Sequence, residues 1–304
     1  MWKLSKKRNG SHIKRSKEDL AFDIITYIIS GILLLITLYP MYFIVIASFS
    51  DPTAVSLGKV TFLPQGFSLK GYETLLEYKQ IWTGYKNTII YAILGTMTSL
   101  CVNIPAGYVL SRKDLFGKKY IRFLYIIPMF FGGGMVPTYL AVKSYGMIDT
   151  VWAMILPGVA AIYYIIVARS FFQSSLPEEL WEAAQVDGIG QIGYFFKIAL
   201  PLSKAIIAVI GLWTAVGQWN SYFNALIYLR SDSLKPLQLV LRSILINSQT
   251  ASTMMSGTAA AEARELAELI KYSSIVISSL PIMTAYPFLQ KYFNQGVMIG
   301  SLKG

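Results

Sequence analysis

Apolar residues in this chain gather in long runs instead of alternating, and six of the runs are long enough to cross a bilayer as helices. They cover approximately Ile24–Ser48, Thr88–Leu110, Ile121–Val142, Val151–Phe172, Ile206–Leu229 and Tyr272–Leu289. A helix rises about 1.5 Å per residue, so roughly 20 apolar residues bridge a hydrocarbon layer about 30 Å thick. Arg122 and Arg169 are the only charges inside the six runs, and each lies near an end. One such run could be a buried core helix, but six in one chain predict an integral membrane protein. The first run follows seven cations, Lys3 to Lys17, as a signal peptide would. It is too long for a signal sequence and lacks a clear small-residue cleavage site, so it reads as a retained anchor. Pro40, Pro105, Pro128, Pro137 and Pro157 interrupt the runs or lie near their ends, where they permit kinks.

The segments between the runs are patterned too. Two connections are long, about Phe49–Asn87 and Arg230–Lys271, and the second carries Ala259–Ile270, with Ala263, Leu266 and Ile270 at helical spacing between glutamates. This predicts a surface helix leading into the last span. Between the fourth and fifth runs lies Ser174 to Ala205, SSLPEELWEAAQVDGIGQIGYFFKIALPLSKA. Ser175 followed by Glu178 reads as a capping box, Leu176, Leu180, Ala183 and Ala184 as one helix face, and Asp187-Gly188 as the break. A second short helix over Ile192–Ala199 then runs to Pro201. The prediction is a helix, turn and helix protruding from the membrane and suited to docking on another protein.

Composition supports the membrane reading: 54% of the 304 residues are hydrophobic and 14% charged, with a mean hydropathy of +0.50. The net charge of +11 needs no nucleic-acid partner, because cationic loops collect on the cytoplasmic side of membrane proteins. Six crossings put both termini on one side, and cytoplasmic termini divide the 27 cations into 17 inside and 10 outside. The expected fold is therefore all-α, with six transmembrane helices and both termini cytoplasmic. Residues 1–23 would form a basic arm, 24–290 the transmembrane domain and 291–304 a cytoplasmic tail. A lone Cys101 and a lone His12 leave no internal disulfide and no His/Cys cluster for zinc, so no metal site, no cofactor and no catalytic residue is expected. The match of Gly188, Gly190 and Gly193 to a dinucleotide fingerprint lacks the strand that must precede it, and Gly132–Gly134 lacks the following Lys-Ser or Lys-Thr of a phosphate loop.

Several motifs carry a family resemblance. Glu182-Ala183-Ala184, Asp187-Gly188, Phe195, Ile198 and Leu200-Pro201 resemble, at the same spacing, the EAA loop of binding-protein-dependent ABC importer permeases, the MetI-like transmembrane family. Ala106, Tyr108, Ser111 and Arg112 resemble that family's A-x-Y-x-x-S-R signature. Phe131–Leu140 and the terminal stretch from Tyr286 are similar to carbohydrate-importer permeases of the LplC/YtcP type. Ile189 and Ala205 depart from the pattern, standing where a small residue and a second proline are usual. The resemblance implies a bacterial cell-membrane permease working with a second homologous permease, two copies of a cytoplasmic ABC ATPase, an extracellular solute-binding lipoprotein and a carbohydrate substrate. It also implies that Ser174–Pro201 is the coupling element, with Glu182, Ala183, Ala184, Asp187, Gly188, Leu200 and Pro201 at the ATPase contact. The 291–304 tail would touch the ATPase as well.

The fifth run carries Gln218, Asn220, Ser221 and Asn224 among Trp213, Trp219, Tyr222 and Phe223. Amides at bilayer depth must find partners, so they face other helices or a wet cavity, and amides beside aromatic faces suit a sugar. Trp213, Gln218, Trp219, Asn220, Tyr222 and Asn224 are thus candidates for a substrate path, with interhelical packing as the equal alternative. Three rivals remain at this point. One is an ion-driven secondary transporter, disfavoured because no Asp or Glu lies within the six runs. The others are a membrane-embedded enzyme and a non-transporting scaffold, and within an importer the chain could be the partner that does not touch substrate.

Overall fold

The computed structural model describes residues 16–254 and 258–301. His12 and the basic arm up to Arg15 lie outside the described residues, as does Lys303. All regular structure among the described residues is helical. The chain runs through α1 (Lys17–Ser48), α2 (Pro52–Ser56), α3 (Lys70–Glu77), α4 (Lys79–Ser111), α5 (Lys118–Phe130), α6 (Met135–Ser144), α7 (Trp152–Ile155) and α8 (Ile162–Ser175). It continues through α9 (Glu178–Val186), α10 (Gln191–Tyr194), a π-helical turn over Phe195–Ala199, α11 (Leu200–Leu202), α12 (Lys204–Trp219), α13 (Phe223–Tyr228), α14 (Leu237–Met254) and α15 (Thr258–Ser301).

The central helix is α4, which packs against α8, α12 and α14, while α15 joins α1, α12 and α14. Small residues set these crossings. A Cβ on Gly107 would lie 2.5 Å from the Ala168 Cβ of α8, and one on Gly84 would lie 3.0 Å from the Leu237 Cα of α14. Such contacts let backbones approach closely in a medium that offers helices no hydrophobic driving force. Most of α1 is uncovered within the chain, with Leu35 and Ile36 more than half exposed.

By length and apolarity α1, α4 and Ala263–Thr284 of α15 can each cross a membrane, and counting each sharply bent helix pair as one span raises the number to five. Three of the expected runs are not continuous helices. Ile121–Val142 is broken after α5, and α6 leaves at 112°. The cause is Gly132-Gly133-Gly134, whose last member sits at φ +82°, a conformation that side chains with a Cβ avoid. Val151–Phe172 is broken between Ile155 and Ile162 by Pro157 and by Gly158 at φ +78°. Ile206–Leu229 is broken at Asn220–Tyr222, where Asn220 Nδ2 donates to Val216 O at 2.9 Å and Ser221 Oγ to Gln218 O at 2.8 Å. These side chains compete for the carbonyls that a continuing helix would use.

The remaining elements extend what the apolar runs outline. Helix α4 starts at Lys79, before its apolar run begins, and α14 occupies much of the second long connection. Ala259–Ile270 is helical, as the first turns of α15, and that helix carries on through the expected tail to Ser301.

Candidate functional site

The segment from α8 to α12 folds into an elbow whose limbs are α9 and the run from α10 to α11. Pro177 stands at the N-cap of α9 with φ −58° and ψ 147°, and Glu178 and Glu179 occupy the first turn, where the helix dipole favours acids. The expected Ser175 capping box does not form: Ser175 is the last residue of α8, and no side chain caps α9. The helix ends in a Schellman motif. Gly188, at φ +74°, donates to Gln185 O at 3.0 Å, and Ile189 N donates to Ala184 O at 2.8 Å. That geometry gives Ile189 a task, for its side chain turns back onto the core beneath the elbow.

Aromatic packing anchors the elbow to the transmembrane body. Trp181 meets Tyr194 edge to face at 5.1 Å between ring centres, and Tyr108 of α4 lies 4.9 Å from Phe195 and 5.5 Å from Phe172 of α8. The Arg112 guanidinium sits 4.4 Å over the Trp181 ring. Arg112 also grips Asp114 with two bonds, Nε to Oδ1 at 3.1 Å and Nη2 to Oδ2 at 3.2 Å. Asp114 Oδ2 accepts from Gln191 Nε2 at 3.1 Å, and Lys113 pairs with Glu178. The short loop after α4 therefore holds the first residue of each limb. The Arg112 hydrogen bond is the main cause that keeps the Asp114 carboxyl below the ordinary carboxylate range, while hydrogen bonding to Glu178 raises the Lys113 ammonium.

This packing turns α9 differently from the expected face. The buried side is Trp181 and Ala184, with Leu176 against the same core, whereas Leu180 and Ala183 face outward. Trp181 is the anchor that the alanine pattern hid; its size among small residues was the available signal. The elbow's outer surface is left with Glu182, Ala183, Asp187 and Gly188 exposed, together with Val186 at 89% and Ile192 at 76% exposure. Of the other residues singled out there, Ala184 is buried, Leu200 packs partly on the core and Pro201 is exposed. Tyr108 on α4 and Arg112 at its C-cap both lie under the elbow, and their four-residue spacing within the A-x-Y-x-x-S-R signature was a legible hint.

A second feature lies deeper, a cavity of about 220 Å³ between α4, the broken α7–α8 segment and α12–α13. Trp213, Gln218 and Asn224 line it, with Ser99 and Thr214, whose hydroxyls are 3.1 Å apart. Gln218 Nε2 reaches Met154 O at 3.3 Å. Trp219, Asn220 and Tyr222 are not brought to this cavity. Trp219 is buried in another cluster and donates to Ser278 O at 2.9 Å, Asn220 bonds to its own helix, and Tyr222 faces the Arg242 guanidinium at 5.9 Å. The residue that holds the cavity's broken wall is Asn103, fully buried on α4. Its Nδ2 donates to Val159 O at 2.8 Å and its Oδ1 accepts from Ala161 N at 3.0 Å, meeting backbone groups that the break has freed. Among the described residues, no three His, Cys, Asp or Glu side chains gather to hold a metal ion.

Comparison with known proteins follows the same lines. The family described as "Binding-protein-dependent transport system inner membrane component" matches residues 81–299. Protein LplC of Bacillus subtilis is 38% identical over 289 residues, spanning 95% of this chain and 97% of that protein. The polygalacturonan/rhamnogalacturonan transport system permease protein YtcP of the same organism is 37% identical over 287 residues, 93% of this chain and 98% of its own. Among solved structures, a bacterial ABC transporter involved in the import of the acidic polysaccharide alginate has a chain that superposes with a TM-score of 0.81 at 31% identity, covering 92% of this chain and 99% of that one.

Proposed function

Because this chain belongs to the binding-protein-dependent transport system inner membrane components, we propose that it is one of two permeases in an ATP-driven importer for an oligosaccharide or larger glycan. The substrate class rests on its likeness to YtcP and to the alginate importer. In this reading the chain crosses the membrane six times with both termini cytoplasmic. The crossings are α1, α4, the bent α5–α6 pair, the broken α7–α8 pair, α12 with α13, and α15. The 17-to-10 division of cations supports that orientation. The partners are a second permease, two copies of a cytoplasmic ATPase and an external solute-binding lipoprotein.

One observation carries the coupling role: the elbow is rigidly anchored on its inner side and unpartnered on its outer side. Trp181, Tyr194 and Phe195 are buried, while Ala183, Val186 and Gly188 are exposed, with open space where a Cβ on Gly188 would stand. A rigid projection of this kind transmits a push from an ATPase into α4 and α8, which a flexible loop would absorb. Glu182 offers the charged contact, and Ala183 lets the two backbones approach. The cavity beside Trp213, Gln218 and Asn224 is the part of the path this chain contributes. Trp219, Asn220 and Tyr222 lie away from it, which favours a subunit that shapes the path more than it grips the sugar.

The test is glycan uptake into proteoliposomes holding the full complex, with Ala183→Arg as the variant. Ala183 is exposed, so arginine there leaves the fold intact and blocks only the outer face. ATP-dependent uptake is expected to fall to background while the chain remains in the membrane; unchanged uptake would remove the coupling role.

A further inference from the structure

We propose that Lys118, Arg122 and Arg169 form a binding site for the phosphate of an anionic phospholipid, at the end of α4 where that helix leaves the bilayer. The inference rests on reading α4 and α5 as membrane spans, and on neither the transported substrate nor the ATPase. The three cations come from two helices; Lys118 and Arg169 close the last turn of a third, and Arg122 stands one turn along from Lys118 on α5. Arg169 Nε of α8 donates to Leu110 O at 3.3 Å, Lys118 Nζ of α5 donates to Ser111 O at 3.2 Å and to Arg112 O, and Arg122 Nε donates to Lys118 O at 3.5 Å. These carbonyls take only some of the available protons, since each guanidinium carries five N–H donors and the ammonium three.

Asp114 offsets part of this charge through its field at Lys118, but its oxygens are bound elsewhere. Among the described residues no ion pair includes Lys118, Arg122 or Arg169, and the nearby Asp114 is already held by Arg112 and Gln191. Lys118 feels the positive fields of Arg122 and Arg169, and Arg169 that of Arg122. The local backbone adds to the imbalance. The first turn of α5 holds Lys118 and Lys119, has no acidic residue and no capping side chain. Cations at the positive end of a helix are disfavoured, and an anion there relieves both that strain and the repulsion among the side chains.

The flanking surface identifies the anion's source. All three cations are half-buried, and next to Arg122 on α5 stands Phe123, 66% exposed. A phosphate that sits at the end of a span and continues into apolar chains satisfies both halves of this surface; a free inorganic anion satisfies one. Closing the end of α4 explains Lys118 and Arg169 but leaves Arg122 without a task, since its one bond is a long one to its own helix.

The experiment is native mass spectrometry of the full chain in detergent, titrated with phosphatidylglycerol, with phosphatidylcholine, and with sn-glycerol 1-phosphate as a competitor. Phosphatidylglycerol should bind on the order of 100-fold more tightly than phosphatidylcholine, as three cations contribute about fivefold each near an anionic group. Arg122→Gln should weaken phosphatidylglycerol binding about fivefold, Arg122→Lys should restore most of it, and Lys143→Gln at the far end of the neighbouring helix should change nothing. The proposal is overturned if the two lipids bind alike, if Arg122→Gln binds phosphatidylglycerol as the parent does, or if the acyl-free phosphate displaces the lipid at equal concentration. The lipid comparison and the competition need no variant, so a poorly folding Arg122→Gln would not shelter the idea.

Discussion

Replacing Asn103 by leucine keeps the buried volume roughly constant and removes its contacts with the break that precedes α8, along with the bonds its Nδ2 makes to Ser99 O and Oγ on its own helix. The Val159 carbonyl and the Ala161 amide lose their partners at 2.8 and 3.0 Å. In soluble proteins an orphaned buried group costs about 1–3 kcal/mol. Side-chain hydrogen bonds between membrane helices are weaker, averaging about 0.6 and reaching about 1.7 kcal/mol. With two such bonds lost, Asn103→Leu should destabilise the chain by about 1–4 kcal/mol, which for a protein of this size lowers the melting midpoint by roughly 3–10 °C. The assay is thermal unfolding in detergent, followed by tryptophan fluorescence, with Cys101→Ser as a control at the adjacent exposed position. A leucine variant that melts within about 1 °C of the parent would refute the reasoning, because the break would then hold its shape without Asn103.

Other positions give sharp expectations. Gly107→Ala places a methyl 2.5 Å from the Ala168 Cβ and 3.0 Å from the Arg169 backbone nitrogen. Overpacking of that kind costs about 1–3 kcal/mol, so the melting point and the uptake rate should both fall, and parental values for both would contradict the close crossing. Asp114 is held below its ordinary value of 3.8 chiefly by the Arg112 hydrogen bond. A carboxyl depressed in the folded state adds stability that is fully present above its unfolded pKa and lost as pH falls through the folded one. The gap in melting point between the parent and Asp114→Asn should therefore hold steady from pH 7 to about 5 and close on further acidification; a gap that widens in acid would contradict the pairing. Asp149, at φ +60°, accepts from Arg230 N and Ser231 N at 2.8 Å each and from Ser231 Oγ at 2.5 Å. Asp149→Asn, which tolerates that backbone and keeps an acceptor, should melt above Asp149→Ala, and the reverse order would show that this clasp does not matter.

The legible parts of this chain were those fixed by local chemistry. The apolar runs of α1 and α4 mark their helices because a bilayer leaves no alternative to internal backbone bonding. The end of α9 was readable from Asp187-Gly188, which acts within a few residues of itself, whereas its start was not where the expected Ser175 capping box put it. The breaks in the other runs were not readable, since a window that averages hydropathy barely registers Gly132–Gly134 or Pro157-Gly158. What makes a break tolerable is also remote in sequence: Asn103 serves backbone groups 56 and 58 residues away. The orientation of α9 was hidden for a similar reason. Leu180 looks like a core residue on a helical wheel, yet Trp181 wins the buried side because Arg112, Tyr194 and the α8 aromatics provide a site that fits it. In the fifth run, composition drew Trp213 and Trp219 together as path residues, whereas the helix divides them between a cavity wall and a packed cluster.

The central claim is that the outer face of the elbow meets an ATPase in the cytoplasm. Its most direct measurement is cross-linking in sealed membrane vesicles holding the assembled importer, with Cys101→Ser as background and a single cysteine placed at Val186, which is 89% exposed. The account predicts a cross-link from that cysteine to the ATPase subunit, one that changes in yield when ATP is added, and no labelling by an impermeant thiol reagent from the external side. A cysteine at Val186 that labels readily from outside, or that captures no ATPase in the intact complex, would contradict it.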